Sequence, residues 1–129
     1  MYWKDGEYQA EVLQQVNHLL RDFRTNEVHV IDPALIDVLF ELQTKVGSEG
    51  AFQVISAYRS PKTNEMLRQS SNGVAEHSMH MLGKAIDVRP ESFPTDRLAE
   101  VARSVRRGGV GYYRAFDFVH VDTGRVRYW

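Results

Sequence analysis

Apolar and polar positions alternate along the chain in periods that mark helices and strands in turn. Between 7 and 24, Val12, Val16, Leu19, Leu20 and Phe23 recur at steps of three and four, with Glu11, Gln14, Gln15, Asn17 and Arg21 between them. That period predicts an amphipathic helix over 7–24 with the apolar stripe turned inward. His18 lies beside the stripe and reads as a structural or surface residue. Val28-His29-Val30 is a short extended link. Asp32 and Pro33 then supply an N-cap and a first helical residue for a second helix. Leu35, Val38, Leu39, Leu42 and Val46 make its buried face, and Gly47 ends it.

Phe52 to Ser56 predicts a strand. Ser60-Pro61 repeats the cap-and-proline signal and starts a helix running to about Arg68, before a polar loop over 69–73. Ala85 to Val88 has strand character, and Pro90 to Pro94 turns the chain. Thr95 caps a further long helix with Leu98, Val101, Ala102 and Val105 inward. Arg103, Arg106 and Arg107 crowd its last turn, where the helix dipole favours cations, so they read as dipole partners and not as a nucleic-acid patch. Gly108-Gly109 breaks the helix. Val110 to Tyr113 and Phe118 to Val121 form a strand pair. The order predicts an α+β fold, with helices packed on one face of a mainly antiparallel sheet and an open groove on the other.

Composition narrows this. A chain of 129 residues with 43% hydrophobic content is expected to form one domain over 1–129. A net charge of −1 offers no global basic field for nucleic acid. No apolar run approaches the roughly 18–20 residues of a membrane span, and Met1 to Gly6 lacks the apolar centre of a secretion signal. There is no cysteine, so any metal must be held by His, Asp or Glu.

Two segments carry such residues: Ser78-Met79-His80-Met81-Leu82-Gly83-Lys84-Ala85-Ile86-Asp87 and Phe118-Val119-His120-Val121-Asp122. On a strand, side chains at i and i+2 share a face. Asp87 therefore sides with Ala85, and His120 with Asp122 and Phe118, opposite the apolar Ile86, Val88, Val119 and Val121. Gly83 permits a turn that folds His80 back, and the small Ala85 leaves space. His80, Asp87 and His120 would bind zinc through three protein ligands and leave a fourth position for water, the pattern of a catalytic site. Zinc would lower the pKa of that water towards about 7 and polarise a scissile carbonyl.

Such a site needs a proton carrier and a cation. Asp122, facing as His120 does, is preferred as the base, with orientation of a ligand as its other role. Asp117, three before His120, is the competitor. Arg59, between a strand end and a helix start, is the cation. His77 would form an H-x-x-H pair with His80 if 77–80 were helical, but Gly73, Ser78 and Gly83 argue for a loop. The H-E-x-x-H motif is absent.

Ser78-x-His80, Gly83-x-Ala85-x-Asp87 and the later His120 resemble the signature of the zinc D-Ala-D-Ala peptidases, a superfamily that includes lysostaphin-type enzymes and the hedgehog signalling domain. The chain is most similar to the MepK group of murein endopeptidases, through Ser56-Ala57-Tyr58-Arg59-Ser60, Gly73-Val74-Ala75, Gly108 to Tyr113 and Phe118 to Gly124. The resemblance implies an exported, periplasmic zinc peptidase acting on peptidoglycan stem peptides or crosslinks. His80, Asp87 and His120 are then its ligands, Arg59 its oxyanion or substrate group, and Ser78 a substrate contact. Other members carry H-x-H where this chain has Phe118-x-His120. Two rival functions share the site: a catalytically silent, zinc-containing peptidoglycan-binding domain, and a zinc D,D- or L,D-carboxypeptidase.

Overall fold

The computed structural model describes residues 3–46, 52–70 and 78–129. The expected roles of Gly47, Gly73 and His77 fall outside them. A hairpin of β1 (Trp3–Lys4) and β2 (Glu7–Tyr8) opens the chain. Asp5 and Gly6 turn it with φ of 53° and 80°, the left-handed pair that a two-residue hairpin turn requires. This Asp-Gly turn makes Glu7 and Tyr8 a strand where a helix over 7–24 is predicted. Helices α1 (Ala10–Leu19) and α2 (Pro33–Val46) follow, then β3 (Phe52–Ser56), α3 (Pro61–Ser70), a 3-10 turn (Met79–Leu82) and β4 (Ala85–Pro90). The last third is α4 (Thr95–Val105), β5 (Gly109–Tyr113), a 3-10 turn (Arg114–Phe116), β6 (Phe118–Asp122) and β7 (Arg127–Tyr128).

The five-stranded sheet runs β3-β4-β6-β5-β7, antiparallel except for the parallel β5–β7 pair. Ile86, Val88, Val110, Val119 and Val121 join Leu35, Leu42, Leu98, Ala99 and Ala102 in one buried cluster. Helices α2 and α4 lie on that face, as alternation predicts. Each large aliphatic side chain fully withdrawn from water there stabilises the fold by about 1.5–3 kcal/mol before entropy is counted.

Helix α1 is shorter than the predicted 7–24, and Leu19 and Phe23 are more than 60% exposed. The cause is Asp22, whose carboxylate accepts the N–H groups of Arg24 and Thr25 and so competes with helical hydrogen bonding. Its other oxygen accepts the Ser60 N–H at 2.9 Å and ties this loop to the start of α3. Burial alone would raise the Asp22 pKa. Hydrogen bonds from Thr63, Ser60 and Arg24 outweigh that and lower it to about 2. Asp32 does cap α2, accepting the Ala34 N–H at 3.0 Å. Thr95, expected as the α4 cap, lies inside the helix, and Pro94 takes the cap position.

Candidate metal centre

The register of the sheet puts the expected ligands side by side. Asp87 on β4 pairs with His120 on β6, and His120 in turn pairs with Gly111 on β5. Directly opposed residues share a face, so the carboxylate and the imidazole meet without any loop rearrangement. His80 arrives from the 3-10 turn. Ser78 starts that turn by accepting the His80 N–H at 3.1 Å, and Gly83 ends it at φ 68°. A side chain at Gly83 would meet the Val30 carbonyl at 2.2 Å, so both the backbone angle and the space demand glycine. His80, Asp87 and His120 each offer one ligand atom, and these lie within 4.8 Å of one another.

Hydrogen bonding fixes which ring nitrogens face inward. His80 Nδ1 lies 2.6 Å from the Ala57 carbonyl, which can only accept, so Nδ1 carries the proton. Burial lowers the His80 pKa and keeps the ring neutral. Its Nε2 lone pair therefore faces Asp87 Oδ1 at 3.2 Å, an acceptor turned towards an acceptor. That contact is repulsive unless a cation or proton lies between them. His120 Nε2 sits 2.7 Å from Asp122 Oδ2, and its Nδ1 sits 2.9 Å from Asp87 Oδ1. Burial acts to lower the His120 pKa, but the hydrogen bonds with Asp122 and Asp87 outweigh it and raise it. Burial likewise acts to raise the Asp87 pKa, yet its histidine partners hold it well below the usual carboxylate range. Two imidazole nitrogens and a carboxylate, with the outer nitrogen of each ring engaged elsewhere, fit a divalent cation such as zinc.

The remaining expected residues occupy different places. Arg59 Nη2 donates to Asp87 Oδ2 at 3.2 Å and its Nε to the Ser56 hydroxyl at 3.2 Å. Those contacts engage only part of a five-donor guanidinium, and its side chain keeps 14% of its surface exposed. Asp122 stands behind His120, at the ring nitrogen away from Asp87. Its Oδ1 accepts the N–H groups of Gly109 and Gly124 and a donor from Arg127, and its Oδ2 accepts from His120 and Arg127. So situated, it has no lone pair turned towards the cluster with which to carry a proton. Asp117 is also engaged elsewhere, with the Thr95 hydroxyl at 2.5 Å and Arg89 at 3.4 Å. Ser78, expected against substrate, is buried and spends its oxygen on the turn.

The polar face is less open than alternation alone suggests. Ala85 is fully buried, and Trp129 covers part of the sheet at Gly111, where a Cβ would meet the indole at 2.5 Å. The Trp129 ring centre lies 5.2 Å from that of His120, and its indole N–H donates to the Tyr113 hydroxyl at 2.8 Å. Tyr58 is buried in the core and stacks on His29. Sequence reasoning missed Arg127, Ser56 and the Ala57 carbonyl. Alternate glycines at 109 and 111 on one strand were the available signal, since they mark where another element lies close over a sheet. No helix among the described residues is long and apolar enough to cross a membrane.

The family model described as peptidoglycan L,D-endopeptidase MepK matches residues 1–129. The probable peptidoglycan L,D-endopeptidase MepK of Haemophilus influenzae is 46% identical over 123 residues, covering 95% of this chain and 66% of that protein. The peptidoglycan L,D-endopeptidase MepK of Escherichia coli K12 is 45% identical over 122 residues, covering 95% of this chain and 67% of that protein. The chain thus spans about two thirds of the length of these curated relatives. With residues 1–129 matched by one family model and a candidate metal-ligand set on β4, β6 and the turn before β4, the chain belongs to the MepK family of peptidoglycan peptidases.

Proposed function

We propose that this chain is a zinc-dependent murein endopeptidase, exported to the periplasm, that hydrolyses an amide bond in peptidoglycan stem peptides or their crosslinks. The relatives are named for the L,D-endopeptidase reaction, and the proposal extends that bond type to this chain. The observation that carries it is the convergence of His80, Asp87 and His120 with two inward-facing ring nitrogens. Bound there, zinc supplies Lewis-acid polarisation of the scissile carbonyl and an activated water.

The chain's own residues do the rest. Ala57 and Asp122 hold the two imidazoles in the tautomers that present lone pairs inward. Arg59, braced by Ser56 and Asp87, is assigned the stabilisation of the negative charge that develops on the carbonyl oxygen, through its remaining N–H donors. Asp122 is assigned orientation of His120 in place of proton transfer, because its oxygens are taken. Asp117 is assigned a structural role beside Thr95. Ser78 shapes the turn that delivers His80.

Digestion of purified sacculi and crosslinked muropeptides, followed by mass spectrometry, tests this reading. Internal amide cleavage is expected, abolished by a chelator and by His80→Ala, and restored to the chelated parent by zinc. A parent that retains zinc yet releases nothing would instead be a silent binding domain. Products shortened by a single terminal residue would make it a carboxypeptidase.

A further inference from the structure

The C-terminal strand contributes no expected ligand, yet it lies directly behind one. Strand β7 pairs with β5 in the register Gly109↔Arg127 and Val110↔Tyr128, and the Trp129 main chain exchanges hydrogen bonds with Val110 and Tyr112. This docking sets Arg127 against the Asp122 carboxylate in a two-pronged contact, Nη1 to Oδ1 at 3.0 Å and Nη2 to Oδ2 at 2.9 Å. The same guanidinium is held by the Arg125 carbonyl and lies 5.0 Å from the Trp129 ring centre. Its position depends on glycine: a Cβ at Gly109 would meet Arg127 Nη1 at 2.3 Å and Asp122 Oδ2 at 2.7 Å.

We infer that Arg127 is a positioning residue for the metal centre, acting through Asp122 on His120. A carboxylate free to rotate could accept from His120 Nε2 in several orientations. Gripped at both oxygens by a planar fork, it presents Oδ2 to that nitrogen in one direction only. The His120 proton then stays on Nε2, and Nδ1 keeps its lone pair turned inward. The Trp129 ring, its centre 5.2 Å from that of the imidazole, packs beside it at a tilt of 46°. The strand thus works as a strap whose side chains set the angle of one ligand. This inference rests on the zinc-peptidase reading above.

The test is zinc affinity of the purified protein, measured by competition with a chromogenic chelator, in the parent, Arg127→Gln and Arg127→Lys. Loss of an outer partner of a ligating histidine lowers metal affinity by about 10–100-fold. Arg127→Gln is expected to show that loss, and Arg127→Lys a smaller one, since an ammonium keeps the charge without the fork. In the zinc-loaded parent, nuclear magnetic resonance should show a downfield, exchange-protected His120 Nε2 proton, which Arg127→Gln broadens or removes. Arg125→Gln, an exposed neighbour contributing only its carbonyl, should match the parent throughout.

If both Arg127 variants bind zinc as the parent does and keep the Nε2 proton signal, the inference is overturned, even if their melting temperatures fall. Should Arg127→Gln not fold, Arg127→Lys decides by the same two readouts. A parent that does not bind zinc sinks the underlying reading. A parent that binds and cleaves, with Arg127 variants indistinguishable from it, sinks only the strap.

Discussion

The two histidines of the centre are held by different kinds of partner. His80 is anchored by main chain: its Nδ1 proton goes to the Ala57 carbonyl, and the Arg59 N–H returns to the His80 carbonyl. His120 is anchored by a side-chain relay, Asp122 and then Arg127. A carbonyl anchor survives side-chain substitution at Ala57 as long as the backbone keeps its path. A relay of side chains can be cut at either link. The centre should therefore fail through backbone shape on the His80 side and through single side chains on the His120 side.

The largest effect is expected where both halves meet. Asp87→Ala removes the carboxylate that faces both rings and pairs with Arg59. Zinc content by mass spectrometry should fall to background, and muropeptide cleavage should fall below detection. Stoichiometric zinc with activity intact in this variant would dissolve the comparison itself.

The His80 half should break through its backbone. Gly83→Ala puts a Cβ at φ 68° and into the Val30 carbonyl. The cost should exceed about 1 kcal/mol, seen as a melting temperature about 4 °C or more below the parent, with weaker zinc binding. An unchanged melt would mean that the turn carrying His80 adapts freely.

The support of the His80 half should also yield to acid. Asp22 ties the loop after α1 to Ser60, next to Arg59 and three residues beyond Ala57. Its folded pKa of about 2 lies below the ordinary value of 3.8. The stabilisation is therefore present in full above about pH 4 and lost as pH falls through about 2, amounting to about 2 kcal/mol. Chemical denaturation between pH 5 and 2 should show this loss in the parent and a flatter limb in Asp22→Asn. Parallel limbs would remove Asp22 from the account.

The smallest effect belongs to a residue outside both halves. Asp117→Ala gives up contacts with Thr95 and Arg89, costing about 1 kcal/mol or less. Cleavage should stay within about twofold of the parent. A drop of a hundredfold would return Asp117 to the role of general base.

Much of the framework was legible because it depends on period and local chemistry. Alternation on β4 and β6 told which side chains share a face, since a strand's period of two leaves no other arrangement once Ile86, Val88, Val119 and Val121 are buried. Asp32-Pro33 and Ser60-Pro61 marked helix starts because capping is decided within a few residues. Helix α1 was overextended because the carboxylate that stops it is locked by Ser60, a partner 38 positions away. Its apolar period continues past the point where the contacts end.

By itself, then, the sequence determined the strand faces and the residue types capable of ligating a cation. Only the tertiary structure placed Asp87 between the two imidazoles and Asp122 behind one of them. That distinction depends on which nitrogen of His120 each aspartate meets, and both Asp87 and Asp122 satisfy the same alternation rule. It also brought in Arg127, through a parallel strand pairing that no local pattern encodes. Hydrogen-bond direction is a property of three-dimensional neighbours, and spacing along a chain cannot carry it.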